Sequence, residues 1–516
     1  MTLPALIASL LEPGAYPERT AEVRLVQTHI SYVFMVADTV YKIKKPVDFG
    51  FLDFTTLALR RHFCEEEVRL NRRLAPDAYL GVVPITVEQG RAVVGGRGEP
   101  VEYAVRMRRI PDDDLLLSAI RRGAATPETI RRVAERIAAF HKTAASDGHI
   151  SECGSIEVIR INASENFAQT AGFIGRLISP DGYAGIKAYA EGFLKENAPL
   201  FSRRVEGGFI RDCHGDIHTE HIAITDGIEI IDCVEFNERF RFSDMISDAA
   251  FLSMDLDYLG RHDLGRVFEE AYLLATDDRE GAPLVGFYKC YRAYVRAKVA
   301  GLKSMEEEVG GEERRAAGID AMRHFRLASL YAHGGYRPLL VIICGLPGAG
   351  KTTLAKAVSE AAGMPVVSSD LVRKGLAGIR PDEDRGFGYG QGIYTEEWTA
   401  KTYQTIVEQA KAYLRQGRPV IMDASFARRR YLDAALGAAA VAGADACVIE
   451  CRASDETVMR NMARRKTGTS VSDAGYEVYL RHKSGFEAIT EPHIAVNAEE
   501  PLELNLQAAL EGIFKV

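Results

Sequence analysis

The sequence has no cysteine pair of the CxxC type, and its eight cysteines are scattered through mostly apolar stretches. This spacing argues against a zinc site and against a disulfide framework, so a reducing cytoplasm is the expected compartment. No stretch reaches the roughly 18 apolar residues of a membrane span, and the N-terminal segment lacks the basic residues and the cleavage site of a signal peptide. We therefore expect no membrane segment.

Positive charge is scarce relative to negative charge, because 64 Lys and Arg residues face 72 Asp and Glu residues. The net charge of −8 argues against an extended basic groove and hence against nucleic acid as a partner. The sequence also contains no internal repeat and no low-complexity segment. Its 516 residues exceed one comfortable hydrophobic core, so two or three domains are expected.

Paired glycines and a proline at 332–338 mark a linker between a charged helical stretch and an apolar run. Upstream, residues from about 20 to 105 contain strand-like pieces at 32–36, 40–44, 92–94 and 101–105 around one helix at 56–74. Residues from about 106 to 333 are mostly helical. We predict a first domain at 1–333, with a small β-rich lobe followed by a helical lobe, and a second domain at 338–516.

The strongest motif follows the apolar run 339–344, which is typical of a buried parallel strand. It reads GLPGAGKT and leads into a helical sequence that ends at Gly363, so it is a GxxxxGK[ST] P-loop in its required strand–loop–helix context. Its main-chain N–H groups are expected to hold the phosphates of ATP, with GTP left open. The predicted nucleotide-binding residues are Gly345, Gly348, Ala349, Gly350, Lys351, Thr352 and Thr353.

Acidic residues are predicted at the ends of the two following strands. Asp370 ends PVVSSD, and Asp423 ends RPVIMD. Because ligands bind outside the carboxyl ends of parallel strands, both carboxylates should face the nucleotide. Lys351 is expected to reach the β- and γ-phosphates, while the Thr352 hydroxyl and Asp423 hold Mg²⁺.

Asp370 has two interpretations. It could accept the proton of an acceptor hydroxyl as a catalytic base, or either Ser369 or Asp370 could cap the helix that follows. The residue after Asp423 is Ala424, where many ATP-hydrolysing motors have a glutamate that activates water. The missing carboxylate favours transfer to a bound hydroxyl over hydrolysis.

Two arginines, Arg460 and Arg464, lie four residues apart on one face of a predicted helix that precedes a polar loop. We interpret them as part of a lid that neutralises charge on the transferring phosphoryl group. A solvated basic face is the alternative. The glycine-rich stretch 385–393 is expected to shape or cover the acceptor pocket.

The stretches GLPGAGKTT, SSDLVR and VIMDASF resemble those of small P-loop kinases such as zeta-toxin, gluconate kinase, chloramphenicol phosphotransferase and relatives of polynucleotide 5′-kinase. The resemblance covers 338–516. It implies an α/β P-loop NTPase domain with a parallel sheet that transfers a phosphoryl group to a hydroxyl of a small molecule or a nucleic acid.

In the first domain, the segment 211–236 reads RDCHGDIHTEHIAITDGIEIIDCVEF. Asp216 is predicted in a loop, and two strands joined by the favoured hairpin turn Asp226-Gly227 follow it. The second strand ends in Asp232. The hairpin therefore brings two carboxylates together, as a phosphotransferase of the protein-kinase type needs for its acceptor hydroxyl and its Mg²⁺.

The small lobe offers two lysines for the phosphates. Lys42 and Lys44 share one strand face with Val40. A buried lysine there could hold the α- and β-phosphates and pair with Glu67 on the next helix. Lys42 is the first choice, since Val40 can pack on the adenine, and Lys44 is the alternative. Taken singly, these residues are better explained as a solvated edge-strand face and a surface helix. When they are considered together with the segment 211–236, we favour the phosphate-binding interpretation.

Residues 20–333 resemble the aminoglycoside-phosphotransferase-like branch of the protein-kinase fold. The resemblance implies a two-lobed α+β domain with Asp216 as catalytic base, Asp232 as Mg²⁺ ligand and 103–107 as the interlobe hinge region. Asp244 is expected to hold the catalytic loop or only to start a helix, and His141 to be a buried structural histidine. The matching stretches are YKIKK, CEEEVRLNRRL, EYAVRMRRI, AAFHKTAA, HGDIHTEH, IIDCVEFN and SDMISDAAF.

One position departs from that pattern. The family has an asparagine five residues after the catalytic aspartate as another Mg²⁺ ligand, and here that place is His221. Imidazole is a poorer partner than oxygen for Mg²⁺. The first site is therefore expected to use one Mg²⁺, to prefer Mn²⁺, or to be weakly active. Together the two resemblances match a family of fused aminoglycoside phosphotransferase/ATP-binding proteins.

Three functions are compatible with these motifs. The chain could be an enzyme with two phosphotransferase sites, a nucleotide-regulated switch with an N-terminal pseudokinase, or a polynucleotide 5′-hydroxyl kinase. The acidic composition argues against the third, and the retained Asp216 and Asp232 favour the first over the second. We expect ATP-dependent phosphoryl transfer to a hydroxyl of a small molecule.

Overall fold

The computed structural model describes residues 2–380, 383, 391–465 and 476–515, without the side chains of 464, 465, 476–478 and 481. Within these ranges, no helix combines the length and the apolar character that a membrane span requires.

The chain folds into two compact units. The first contains Met1–Glu165, Glu191–Asp255 and Arg266–Lys289, and the second contains Asn166–Ala190, Leu256–Gly265 and Cys290–Val516. The second unit therefore includes helical residues from upstream of the predicted linker at 332–338. The linear division at 333 and 338 remains a proposal about the modules of the chain.

The first part of the chain contains one sheet, one long helix and a short N-terminal helix. Their bounds are α1 (Leu3–Ser9), β1 (Val23–Gln27), β2 (Ser31–Val36), β3 (Thr39–Lys44), α2 (Leu57–Asn71), β4 (Tyr79–Glu88), β5 (Arg91–Val94) and β6 (Glu102–Arg108). The strands pair antiparallel in the order β1-β2-β3-β6-β4-β5. The prediction of strands around one helix is confirmed, but β1 and β4 were not predicted. In β4, Gly81 and Pro84 interrupt the strand pattern.

Alternate residues of this sheet belong to two apolar clusters, because successive side chains of a strand point to opposite faces. Phe34 and Tyr41 pack with α1 residues such as Leu10. Val105 packs with α2 residues such as Val68. The sheet is thus covered on both faces, and Lys42 and Lys44 lie on β3 near its centre.

The middle of the chain is mostly helical and contains four short strands. Its elements are α3 (Leu116–Arg121), α4 (Pro127–Thr143), α5 (Gly148–Glu152), α6 (Ile156–Thr170), α7 (Pro180–Glu196), α8 (Ala198–Glu206), β7 (Ile210–Asp212), β8 (Ile222–Ile224), β9 (Ile228–Ile230), α9 (Glu238–Arg241), β10 (Phe242–Asp244), α10 (Met245–Tyr258), α11 (His262–Thr276), α12 (Ala282–Lys303) and α13 (Gly311–Ala332). β8 and β9 form the predicted hairpin, and β7 pairs with β10.

The last part of the chain alternates strands and helices. Its elements are β11 (Leu339–Gly345), α14 (Lys351–Ala362), β12 (Val366–Ser368), α15 (Ser369–Leu376), α16 (Glu396–Arg415), β13 (Val420–Asp423), α17 (Arg429–Val441), β14 (Asp445–Arg452), α18 (Asp455–Arg465), α19 (Tyr476–Ser484), β15 (His493–Asn497) and α20 (Leu502–Phe514). The five strands are parallel in the order β12-β13-β11-β14-β15. The predicted parallel sheet is confirmed, and β11 is buried along its whole length.

Candidate functional site

The loop between β11 and α14 needs glycine at three positions. Gly345, Gly348 and Gly350 have positive φ angles of 130°, 84° and 83°, which favour a residue without a Cβ. A Cβ on Gly345 would collide with the carbonyl oxygen of Cys451, and one on Gly348 would lie 2.8 Å from Cγ1 of Val458. The backbone therefore wraps closely enough to direct its N–H groups at an anion.

At the end of this loop, a hydroxyl group and a carboxylate group are hydrogen-bonded to each other. The Thr352 hydroxyl donates a hydrogen bond of 2.9 Å to Oδ2 of Asp423, the last residue of β13. Burial raises the pKa of Asp423, although the Lys351 charge and hydrogen bonds from Thr352 and Ser368 oppose the shift. A hydroxyl and a carboxylate at this spacing are the oxygen donors that Mg²⁺ prefers, so these residues fit the ion. Lys351 begins α14 and donates to the main-chain oxygen of Leu346 at 3.0 Å.

Asp370 lies at the same edge of the sheet, but not at a strand end as predicted. β12 ends at Ser368, which is paired in register with Asp423, and Asp370 is in the first turn of α15. The predicted capping by Ser369 or Asp370 is wrong, because the N-cap of α15 is Ser368. Asp370 lies close enough to Asp423 to raise the pKa of that carboxyl.

A cavity of about 310 Å³ adjoins the P-loop. Gly350 and Thr353 line one side of it, and residues of the segment that follows β15 line another. Its other lining residues are Ala349, Leu354, Cys451, Asn461, Val496, Ala498, Glu500, Leu502 and Asn505.

Two asparagines that the sequence reasoning missed order the walls of this cavity. Asn461 donates to the main-chain oxygen of Gly348 at 3.0 Å. Asn505 donates to the main-chain oxygen of Asn497 at 2.7 Å and accepts from its N–H at 3.1 Å. No sequence motif distinguishes these amides from the other asparagines of the chain.

The predicted lid is described in part. Arg460 is exposed on α18 and donates to the Thr457 hydroxyl at 3.1 Å. The side chain of Arg464 lies outside the described residues, as do most residues of the stretch 385–393. The lid therefore remains a prediction.

In the first unit, both β3 lysines bind the same carboxylate of α2. Lys42 Nζ lies 2.9 Å from Glu67, and Lys44 Nζ lies 2.8 Å from it. Lys42 also donates to Asp232 at 2.5 Å, whereas Lys44 donates to Glu235, which the sequence reasoning missed. Lys44 is fully buried, and the Lys42 side chain keeps 15% of its surface exposed. Of these two lysines, only the Lys42 side chain is therefore partly accessible.

The charges of this cluster shift the pKa values of its carboxyl groups. Burial opposes ionisation of Glu67, but Lys42 and Lys44 hold its pKa below the ordinary value. Burial likewise opposes ionisation of Asp232, and Lys42 followed by His221 lowers its pKa. Burial raises the pKa of Glu235. The Asp232 side chain is 43% exposed, so its carboxylate remains accessible to solvent.

Asp232 has a φ angle of 64°, which is unusual for a residue with a side chain. Such a conformation costs about 1–3 kcal/mol and is found preferentially at functional sites. Its N–H donates to the Tyr79 hydroxyl at 3.1 Å, which helps to hold the strained backbone.

The predicted pair of carboxylates meets at His221. Asp216 Oδ2 lies 3.6 Å from Nδ1 of His221, and Asp232 Oδ2 lies 3.5 Å from its Nε2. Burial, and then the neighbouring His218, lower the pKa of His221, which favours the neutral ring. An imidazole between the two acids gives a donor set that fits Mg²⁺ poorly.

The acid that holds the loop containing Asp216 is Asp248, not Asp244. Asp248 accepts from the N–H groups of His214 at 2.9 Å and Gly215 at 2.8 Å. Asp244 instead pairs with Arg204 and accepts from the N–H of Ile246 at the start of α10, as its alternative interpretation predicted.

Two further expectations have clear outcomes. His141 is a buried structural histidine as predicted, since its two ring nitrogens contact the Tyr272 hydroxyl and Asp248. Residues 103–107 lie inside β6, so the predicted hinge region is wrong. β6 ends at Arg108, so a connection out of the sheet begins only after that residue.

A glycine-rich phosphate loop at the carboxyl edge of a five-stranded parallel sheet defines a P-loop nucleotide-binding domain. In agreement, residues 340–489 match the AAA domain family model. The uncharacterized protein Rv2004c of Mycobacterium tuberculosis (strain ATCC 25618 / H37Rv) is 32% identical to this chain over 450 residues, which are 87% of each sequence. The chain therefore belongs to the family of Rv2004c.

Solved structures of two kinases also align with parts of the chain. A gluconokinase from Sinorhizobium meliloti 1021 covers 34% of this chain and 93% of its own, with 19% identity and a TM-score of 0.27. A choline/ethanolamine kinase family protein from Mesorhizobium loti covers 61% of this chain and 94% of its own, with 14% identity and a TM-score of 0.34. TM-scores below 0.5 do not by themselves identify a fold.

Proposed function

We propose that the chain is an ATP-dependent phosphotransferase whose P-loop transfers the terminal phosphoryl group of a nucleoside triphosphate to a hydroxyl of a small molecule. The observation that carries the proposal is the hydrogen bond of 2.9 Å between Thr352 and Asp423 at the foot of a glycine-lined loop. In P-loop enzymes, the hydroxyl of the loop Ser or Thr and a strand-end Asp hold Mg²⁺, so this pair supports the proposal.

In this proposal, different groups of the loop bind different parts of the nucleotide. Main-chain N–H groups of 345–352 hold the phosphates at the N-terminus of α14. Lys351 exchanges the carbonyl of Leu346 for the β- and γ-phosphates. Thr352 and Asp423 would hold Mg²⁺, which neutralises charge on the phosphates when it is bound. The neighbouring cavity of about 310 Å³ receives the nucleoside, whether adenosine or guanosine.

The acceptor side involves Asp370. Its carboxylate takes the proton of the attacking hydroxyl, and Arg460 with Arg464 neutralises the phosphoryl group during transfer. Ala424 follows Asp423 and provides no carboxylate to activate water. This composition supports transfer over hydrolysis.

The first unit is a second phosphotransferase site in this proposal. Lys42, fixed by Glu67, holds the phosphates, Asp216 takes the proton of a second acceptor, and Asp232 is the metal-ligand carboxylate. The specific observation that favours a pseudokinase instead is His221, because its imidazole stands between the two acids.

The test compares nucleotide binding and transfer in two lysine variants of α14. Lys351→Ala removes the phosphate-binding ammonium, whereas Lys356→Ala removes an exposed lysine five residues along the same helix. Mg-ATP and Mg-GTP binding is measured by calorimetry, and transfer from labelled nucleotide to a library of hydroxyl metabolites is followed. Lys351→Ala should abolish the nucleotide binding and the transfer that belong to the P-loop site, and Lys356→Ala should retain both. Undiminished turnover in Lys351→Ala would contradict the proposal.

The second site is tested separately by Asp216→Asn. Acceptors that remain labelled by Lys351→Ala but not by Asp216→Asn belong to the first unit. If Asp216→Asn changes no transfer to any acceptor, the first unit is not an active kinase, and the pseudokinase alternative is favoured.

A further inference from the structure

The loop that contains Asp216 places two imidazole rings and a carboxylate around one point. Asp216 Oδ2 lies 3.6 Å from Nε2 of His218 and 3.6 Å from Nδ1 of His221. The two ring centroids are 3.8 Å apart, and one ligand atom from each of the three residues lies within 4.8 Å of the others. Asp232 approaches from the end of the hairpin, 3.5 Å from Nε2 of His221.

These separations match the ligands of one metal ion better than they match hydrogen bonds. Direct N–H···O hydrogen bonds are about 2.7–3.2 Å long. Imidazole nitrogens and carboxylate oxygens lie about 2.0–2.2 Å from a zinc ion, so two ligands of a tetrahedral ion are roughly 3.3–3.6 Å apart. The 3.6 Å between Asp216 and Nε2 of His218 and the 3.5 Å between Asp232 and Nε2 of His221 agree with the second geometry.

His221 also has the orientation of a metal-binding histidine. Its Nδ1 lies 2.9 Å from the main-chain oxygen of Asp216. A carbonyl oxygen only accepts, so Nδ1 donates and the lone pair is on Nε2. Metal-bound histidines are held by such a hydrogen bond from the other ring nitrogen. The Nε2 lone pair faces a carboxylate oxygen of Asp232, and a cation beside these two acceptors would turn their repulsion into attraction.

We propose that Asp216, His218 and His221 bind one divalent transition-metal ion of the Mn²⁺, Fe²⁺ or Zn²⁺ class, with Asp232 as the adjoining carboxylate. Two imidazoles with carboxylates suit these ions, whereas Mg²⁺ requires a shell of oxygens. The two histidines are largely buried, since their side chains are 7% and 15% exposed, whereas the side chains of Asp216 and Asp232 are 31% and 43% exposed and remain open to an entering ion.

The ion and a hydroxyl acceptor compete for one carboxylate. Asp216 cannot take a proton while its oxygen ligates the metal. The binding proposal itself does not depend on phosphoryl transfer, because it concerns the ion alone. Its failure and the failure of the proposed function are therefore separate results.

The experiment uses the chain of 516 residues, stripped of metal by a chelator and titrated with Co²⁺, whose visible absorption reports nitrogen and oxygen ligation. Asp423→Asn provides the background, so that ions bound at the P-loop do not contribute. We expect one Co²⁺ per chain with ligand-field bands, displaced by Zn²⁺ and not by an equal concentration of Mg²⁺. A titration without these bands, or preferential displacement by Mg²⁺, would overturn the proposal.

Three histidine variants in the same background locate the ion. His218→Ala and His221→Asn should each weaken Co²⁺ binding at least about tenfold and change the spectrum, with circular dichroism confirming the fold. His149→Asn is the matched control, because that histidine is 70% exposed in the same unit. Unchanged affinity and spectrum in both His218→Ala and His221→Asn would exclude this site.

Discussion

Lys42 and Lys44 lie two residues apart on one strand, yet the groups that their ammonium ions neutralise differ in exposure. Lys42 serves Glu67 and Asp232, and the Asp232 side chain is 43% exposed. Lys44 serves Glu67 and Glu235, which are both buried. If Lys42 is lost, the exposed carboxylate of Asp232 is still solvated by water. If Lys44 is lost, the carboxylate of Glu235 remains buried without its ion-pair partner.

We therefore predict that Lys44→Met destabilises the first unit by about 3–5 kcal/mol, the usual cost of removing one partner from a buried ion pair. Lys42→Met should cost clearly less, because Glu67 keeps Lys44 and Asp232 is solvated. Urea unfolding of both variants, followed by circular dichroism, measures the difference. Equal losses would show that the two lysines share one structural role.

This distinction was beyond sequence reasoning. The alternation of β3 predicts that both lysines share a face, and it predicts Glu67 as their partner on the next helix. How deeply each lysine is buried depends on the segments that cover the strand, and these come from elsewhere in the sequence. Glu235, which accepts from Lys44, comes from a segment 191 residues away in the sequence.

At the scale of an element, α10 determines the position of the loop that contains Asp216. Asp248 in the first turn of α10 accepts from the N–H groups of His214 and Gly215. The sequence SDMISDAAF offers Asp244 and Asp248, and both precede or begin the same helix. Local pattern alone does not decide which carboxylate faces the loop, and the interpretation of Asp244 as its anchor was wrong for that reason.

We predict that Asp248→Ala removes the exchange protection of the His214 and Gly215 amides. Each buried N–H left without an acceptor costs about 1–3 kcal/mol, so the loop should open locally. Hydrogen–deuterium exchange of peptides that cover 213–218 measures the effect. Asp244→Asn is the control, because Asp244 contacts Arg204 and the N–H of Ile246 rather than this loop. Protection that survives Asp248→Ala would contradict the assignment.

The segment between β15 and α20 is a second element whose shape depends on one side chain. Asn505 binds both main-chain groups of Asn497 and also donates to the main-chain oxygen of Glu500 at 3.3 Å. Ala498 and Glu500, which line the cavity beside the P-loop, are thereby held in place.

We predict that Asn505→Ala weakens ATP binding by roughly tenfold, the equivalent of about 1.4 kcal/mol for one lost net hydrogen bond. Binding of inorganic tripolyphosphate should be unchanged, since the P-loop residues 345–352 are untouched. Calorimetry with both ligands separates the two effects. Equal weakening of both would show that Asn505 supports the P-loop rather than the nucleoside cavity.

At the scale of the whole molecule, element order was predicted better than element grouping. The parallel sheet, the P-loop and the hairpin of 222–230 each follow from local periodicity and turn residues. The residues 166–190 and 256–265, however, group with the second unit although they precede the linker by long stretches of sequence. Periodicity identifies which face of a helix is apolar, but it does not identify the surface against which that face packs.

The reactivity of the eight cysteines tests how well the two units exclude solvent from their buried thiols. All eight are free, six are buried, and Cys153 and Cys447 are partly accessible. Burial raises the pKa of the Cys344 thiol to about 12 and that of Cys447 to about 11, and it also raises the pKa of Cys153. The thiolate is the reactive form, so every thiol should react slowly at neutral pH.

We predict that a chromogenic disulfide reagent modifies at most two thiols of the native protein at pH 8, those of Cys153 and Cys447. In urea, all eight thiols should react. Because the pKa of Cys447 is about 11, its thiolate fraction should rise about tenfold per pH unit between pH 7 and 9. The rate at which the Cys447 thiol reacts with the reagent should rise in proportion. Cys153→Ser should remove one of the two native phases and leave the other. Rapid reaction of a third thiol would mean that one of the buried cores opens under native conditions.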